Sequence, residues 1–112
     1  MLNIENLNAL GARTEEGLAR CMGMEDFYLR MVTMALNDDG YERLRAAAEA
    51  GDYEEAFERA HALKGILTNV SLTSLADPII EITEELRARK DMDYGPLLDK
   101  IDEVLASYRA LL

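Results

Sequence analysis

The sequence predicts an all-α protein built around an antiparallel up-down-up-down four-helix bundle, and three observations carry that prediction. Apolar residues recur at helical spacing nearly throughout the 112-residue chain. Ala, Leu, Glu and Arg, all good helix formers, dominate, while proline occurs only twice. The breaks between periodic segments are short, which suits neighbouring antiparallel helices. A single domain spanning residues 1–112 follows, with short accessory N-terminal helices over about 3–37 and the bundle over about 41–112.

The elements read in order as follows. A short helix over about 3–10 ends at Gly11, and a second runs from Thr14, its expected N-cap, to Met22 before Gly23. Residues 24–37 form a longer helix whose apolar side is expected to carry Phe27, Met31, Met34 and Ala35. Asn37-Asp38-Asp39-Gly40 breaks it. Leu44, Ala47 and Ala48 give the helix over 41–50 a narrow apolar face. Gly51 stops that helix, and Asp52 with Glu55 three residues later has the pattern of a capping box for the next.

That next helix, over about 53–70, contains the segment AHALKGILTNV and the chain's one histidine, His61. After a turn at Ser71–Thr73, a helix over about 74–90 aligns Leu75, Ile79, Ile82 and Leu86. Pro78 should delay its start or kink it slightly. Asp91–Asp93 is a polar break. Pro96 sits in the first turn of the last helix, which Leu97, Ile101, Leu105, Tyr108 and Leu112 should line.

Composition excludes several functions. The net charge of −10 repels a phosphate backbone or an anionic membrane, so neither nucleic acid nor lipid surface is an expected partner. No apolar run reaches the roughly 18 residues needed to span a bilayer, and the acidic N-terminus lacks a signal-peptide core, so a cytoplasmic location is expected. Cys21 alone can form no internal disulfide and is expected as a small buried hydrophobe. With one His and one Cys far apart, no metal-ligand spacing is visible, and no cofactor is expected. No hydrolase nucleophile with an oxyanion turn and no phosphate-cradling glycine loop is present.

A helical wheel places His61. At about 100° per residue, Ala56, Ala60, Leu63 and Leu67 fall within a sector of about 60° that must face the core. His61 lies roughly 140° from its centre, beside Glu54, Glu58, Gly65 and Thr68. Gly65, one turn on, costs about 1 kcal/mol of helix stability relative to alanine. It removes the side chain that would crowd the imidazole, and Lys64 can lean a cation toward whatever the ring holds. A neutral imidazole with an open face and an adjacent ammonium suits transient capture of a phosphoryl group. By spacing alone, a solvated surface histidine is the more ordinary reading.

At these residues the sequence resembles the histidine-containing phosphotransfer (HPt) family. His61-Ala62-Leu63-Lys64-Gly65, followed by Asn69 and Val70, is similar to that family's signature, with Ser71 where it usually has glycine. Gly17-Leu18-Ala19-Arg20 with Phe27-Tyr28-Leu29, Ala50-Gly51-Asp52-Tyr53, and Leu72-Thr73-Ser74-Leu75-Ala76 extend the resemblance over roughly 14–111. It implies a phosphocarrier without its own ATP site, not an enzyme. His61 is then the phospho-acceptor through Nε2, Lys64 the stabiliser of the phosphoryl oxygens, and Gly65, Thr68 and Glu58 the docking face. The implied partners are response-regulator receiver domains, which bring the Mg²⁺, and a hybrid histidine kinase. A monomer is expected, because four helices in one chain can close the core. The competing reading is an HPt-like adaptor that docks a receiver or kinase without being phosphorylated. A histidine-kinase dimerisation domain fits less well, since Ala62 rather than an acidic residue follows His61.

Overall fold

The computed structural model describes residues 1–112 and is helical, without strands. Seven helices follow in order: α1 (Ile4–Ala9), α2 (Thr14–Arg20), α3 (Glu25–Leu36), α4 (Gly40–Glu49), α5 (Tyr53–Asn69), α6 (Thr73–Arg87) and α7 (Gly95–Arg109). Helix α5 packs between α4 and α6, and α7 packs on α6. Ion pairs close the bundle between α4 and α7: Glu42 meets Arg109 at 2.9 Å, and Arg45 meets both Asp99 and Asp102 at 2.8 Å. Position rises along α4 as it falls along α7, so these two helices are antiparallel. Such exposed pairs contribute at most about 1 kcal/mol each. Burial does most of the stabilising, through one cluster of 27 buried hydrophobic residues that runs from Leu7 to Tyr108.

The turns that flank α5 share one geometry. At the end of α4, Gly51 adopts φ +74, its N–H donates to Ala48 O and that of Asp52 donates to Ala47 O. At the end of α5, Ser71 adopts φ +56, its N–H donates to Thr68 O and that of Leu72 donates to Leu67 O. Both are Schellman closures, which satisfy carbonyls that a helix end leaves unpaired. Serine at the second site therefore keeps the left-handed turn that glycine would suit, at a cost of roughly 1 kcal/mol. Arg20 holds it there, donating to Ser71 Oγ at 2.6 Å and to Asn69 O at 3.2 Å.

Side chains from other helices bond carbonyls at the C-terminal ends of α1, α3 and α5. Tyr28 donates to Val70 O (2.8 Å), Tyr41 to Ala35 O (2.9 Å), Arg109 to Leu36 O (2.8 Å) and Ser74 to Leu10 O (2.6 Å). These bonds tie α1 and α3 to the bundle's end, where α5 finishes and α6 begins.

Several sequence expectations change. Thr14 is not the cap of α2 but its first residue, and its hydroxyl donates to Asn8 Oδ1 at 2.8 Å. The inward side of α3 carries Tyr28, Val32, Ala35 and Leu36, while Phe27 and Met34 are exposed. Tyr28 lies inward because Val70 O takes its hydroxyl and Gly17 leaves room for its ring. On α7, Leu98 is buried and Leu97 only partly so, and Leu112 is exposed beyond the helix end. Pro78 does not delay α6, which starts at Thr73 and runs unbroken past it. Half of the capping box forms: Asp52 accepts from Glu55 N, but the Glu55 carboxylate pairs with Arg43 and Arg59. Cys21 is buried and free, as expected.

The buried tyrosines predict an alkaline limit to stability. Burial pushes the Tyr28 phenol up to about 12, and burial raises Tyr41 and Tyr108 as well. An unfolded phenol loses its proton near 10, so above that pH the unfolded chain binds fewer protons than the folded one. The tyrosines' contribution is then constant below about pH 10 and is lost as pH rises toward about 12. Urea midpoints across this range should show the loss, with a shallower slope in Tyr28→Phe. A midpoint unchanged through about pH 11 would rule this out.

Candidate functional site

The candidate site lies midway along α5, where anchoring and exposure alternate. Ala56, Ala60, Leu63 and Leu67 are buried to 1% exposure or less and lock the helix to the core. The opposite face, with Glu54, Glu58, His61, Gly65 and Thr68, is exposed, as the wheel predicts. Helix α5 is held at both ends, by the Asp52 cap and by the Schellman turn with its Arg20 and Tyr28 contacts. The exposed imidazole thus projects from a fixed rod.

Gly65 is open. A Cβ built there would meet no atom within 4 Å, so nothing inside the chain requires glycine at this position. Its φ is not in the left-handed region either. The helix gives up stability for space that the fold itself does not use. Lys64 is half-buried and takes part in no ion pair, which leaves its charge available at the site. Glu58 is likewise exposed and unpaired. Thr68 is exposed, but its hydroxyl donates to Lys64 O at 2.8 Å, so outward it offers an acceptor oxygen and a methyl group.

Two neighbours escape the wheel reading. Phe57, one turn before His61, stacks on the imidazole with ring centroids 5.7 Å apart and planes inclined by 18°. Arg87 from α6 sets its guanidinium 5.2 Å from the centre of the Phe57 ring. The i−4 spacing of Phe57 from His61 is a visible signal for the first contact. Arg87 reaches the site only because α6 packs on α5, which no local pattern reveals. Beyond Phe57 a shallow groove between α5 and α6 continues, acidic on the α5 side (Glu54, Glu58) and basic on the α6 side (Arg87, Arg89).

A rigid helix that presents one exposed imidazole, an open glycine and an unpaired lysine can hold a small anionic group covalently and hand it on. A family model for the Hpt domain matches residues 29–111, most of the chain. The chain belongs to the Hpt domain family. No curated protein and no solved structure is matched. The matched segment of this Hpt domain begins within α3 and covers the whole bundle. The sequence resemblance expected over residues 14–28 lies outside it. Hpt domains carry out histidine phosphotransfer in phosphorelay signalling, act as phosphocarriers, and interact with receiver domains and kinases. No helix of this Hpt domain is long and apolar enough to cross a membrane.

Proposed function

We infer that His61 is the phospho-acceptor of a relay. It takes a phosphoryl group from an aspartyl phosphate on one receiver domain and passes it to the aspartate of another. In the forward step the lone pair of Nε2 attacks phosphorus, an N–P bond forms, and the P–O bond to the aspartate breaks with release of the carboxylate. The return step reverses this on the second receiver. Lys64 offsets charge on the phosphoryl oxygens as the bond order shifts. Gly65 leaves the approach clear, and Thr68 and Glu58 lie on the surface that the receiver covers. The receiver supplies the Mg²⁺, so this chain needs no cofactor and acts as a cytoplasmic, monomeric carrier rather than as an enzyme.

The observation that carries this reading is the pairing of an exposed His61 with a Gly65 that the fold does not require. The experiment is transfer from a receiver domain bearing labelled aspartyl phosphate. Wild type should become labelled within minutes, and His61→Gln should remain unlabelled while its helical signal is unchanged. Equal label on both proteins would sink the assignment. If His61→Gln still binds the receiver and wild type never takes label, the chain is instead a docking adaptor.

A further inference from the structure

The three positions stacked along the helix at the acceptor, Phe57, His61 and Gly65, have an asymmetry that phosphotransfer can use. On the N-terminal side of His61 stands Phe57, its ring stacked on the imidazole at 5.7 Å and 18°. On the C-terminal side is Gly65, with empty space where a side chain would be. Helical side chains lean back toward the N-terminus, so a ring at i−4 meets the flat face of the imidazole. A centroid separation of this size is typical of an offset aromatic stack. Arg87 lies over the Phe57 ring at 5.2 Å, within cation–π range, and is itself steadied by Glu84 at 3.4 Å. The imidazole is supported on one side and open on the other.

We propose that Phe57 is the positioning residue of His61, and that Arg87 from α6 holds Phe57 in place. The stack fixes the plane of the imidazole, and with it the plane in which the lone pair of Nε2, the nitrogen farther from the backbone, meets an incoming phosphorus. An unsupported imidazole can rotate about its last torsion and present either nitrogen, because that torsion has broad minima. Aiming one lone pair removes unproductive orientations from the attack on phosphorus. The proposal rests on the reading that His61 carries the phosphoryl group. It adds which residues orient the ring, and it gives Phe57, half-buried against the core, a second role at its exposed edge.

The test uses phosphoramidate, which donates its phosphoryl group to an imidazole nitrogen with release of ammonia and needs no receiver. Products are read early, by NMR, as the proportion of Nδ1 to Nε2 phosphohistidine in the whole chain. Wild type and Phe57→Tyr should react almost wholly at Nε2. Phe57→Leu keeps an apolar side chain without a ring, and its Nδ1 share should rise about twofold or more. The His61 ring protons, shielded by Phe57 in wild type, should move toward their free-histidine positions in the same variant. Arg87→Gln leaves the core untouched and should shift both readings in the same direction by less. Wild-type product ratio and ring shifts in Phe57→Leu would overturn the proposal. Because no receiver takes part, this outcome is separate from that of the transfer experiment: wild type that refuses label from receivers would defeat the relay reading alone.

Discussion

Replacing Gly17 with alanine is expected to destabilise the domain by about 2 kcal/mol, although alanine is the better helix former by about 1 kcal/mol. Gly17 lies inside α2, and a Cβ there would come within 2.8 Å of Tyr28 Cζ and 2.9 Å of its hydroxyl oxygen, nearer still to Cε1. The Tyr28 ring is fully buried and its hydroxyl is bonded to Val70 O, so it is not a flexible end that can swing aside. The added methyl forces the ring off its seat and loosens the bond that closes α5. Thermal or urea unfolding checks this directly. A Gly17→Ala protein as stable as wild type, or more so, would show that the ring has room to move.

Gly65 should behave in the opposite way, and the contrast separates packing from function. It too lies within a helix, but its missing Cβ faces open space. Gly65→Ala should raise stability by up to about 1 kcal/mol and leave transfer near normal. Gly65→Gln should also keep the fold, since the position is exposed and glutamine favours helix. Its longer side chain enters the clearing beside His61, and transfer from a phosphorylated receiver should slow by roughly tenfold or more, about 1.4 kcal/mol in the barrier. Transfer by Gly65→Gln at the wild-type rate would mean that the open face has no part in the reaction. Two helical glycines thus give opposite stability effects. Only substitution at the one whose space the fold leaves unused is expected to affect transfer.

The histidine helix was legible because its two faces differ so sharply. Ala56, Ala60, Leu63 and Leu67 form one narrow apolar sector, and the residues around His61 are acidic or small. The glycine stop at Gly51 and the turn after Asn69 were legible for the same kind of reason, because local hydrogen-bonding rules decide them. Helix α3 was not, because it has two apolar sides at helical spacing. Phe27, Met31 and Met34 compete with Tyr28, Val32 and Leu36, and hydropathy cannot choose between them. The choice falls to Tyr28 through a carbonyl 42 residues away and a glycine in another helix. Adjacent leucines on α7 pose the same problem, and burial goes to Leu98. At the site, the residues proposed to supply chemistry lie in one stretch of α5. The Arg87 contact was not legible, because it depends on how α5 and α6 pack.

The central claim is that one imidazole carries the phosphoryl group between two receivers, and a two-step chase tests it most directly. The chain is labelled from one phosphorylated receiver, purified, and mixed with a second receiver and Mg²⁺, while acid-labile phosphate is mapped by mass spectrometry. The account predicts label on His61 alone, then its loss from the chain and matching gain on the second receiver, with none of this in His61→Gln. Label at any other residue, or release only as free phosphate without gain on the second receiver, would contradict it.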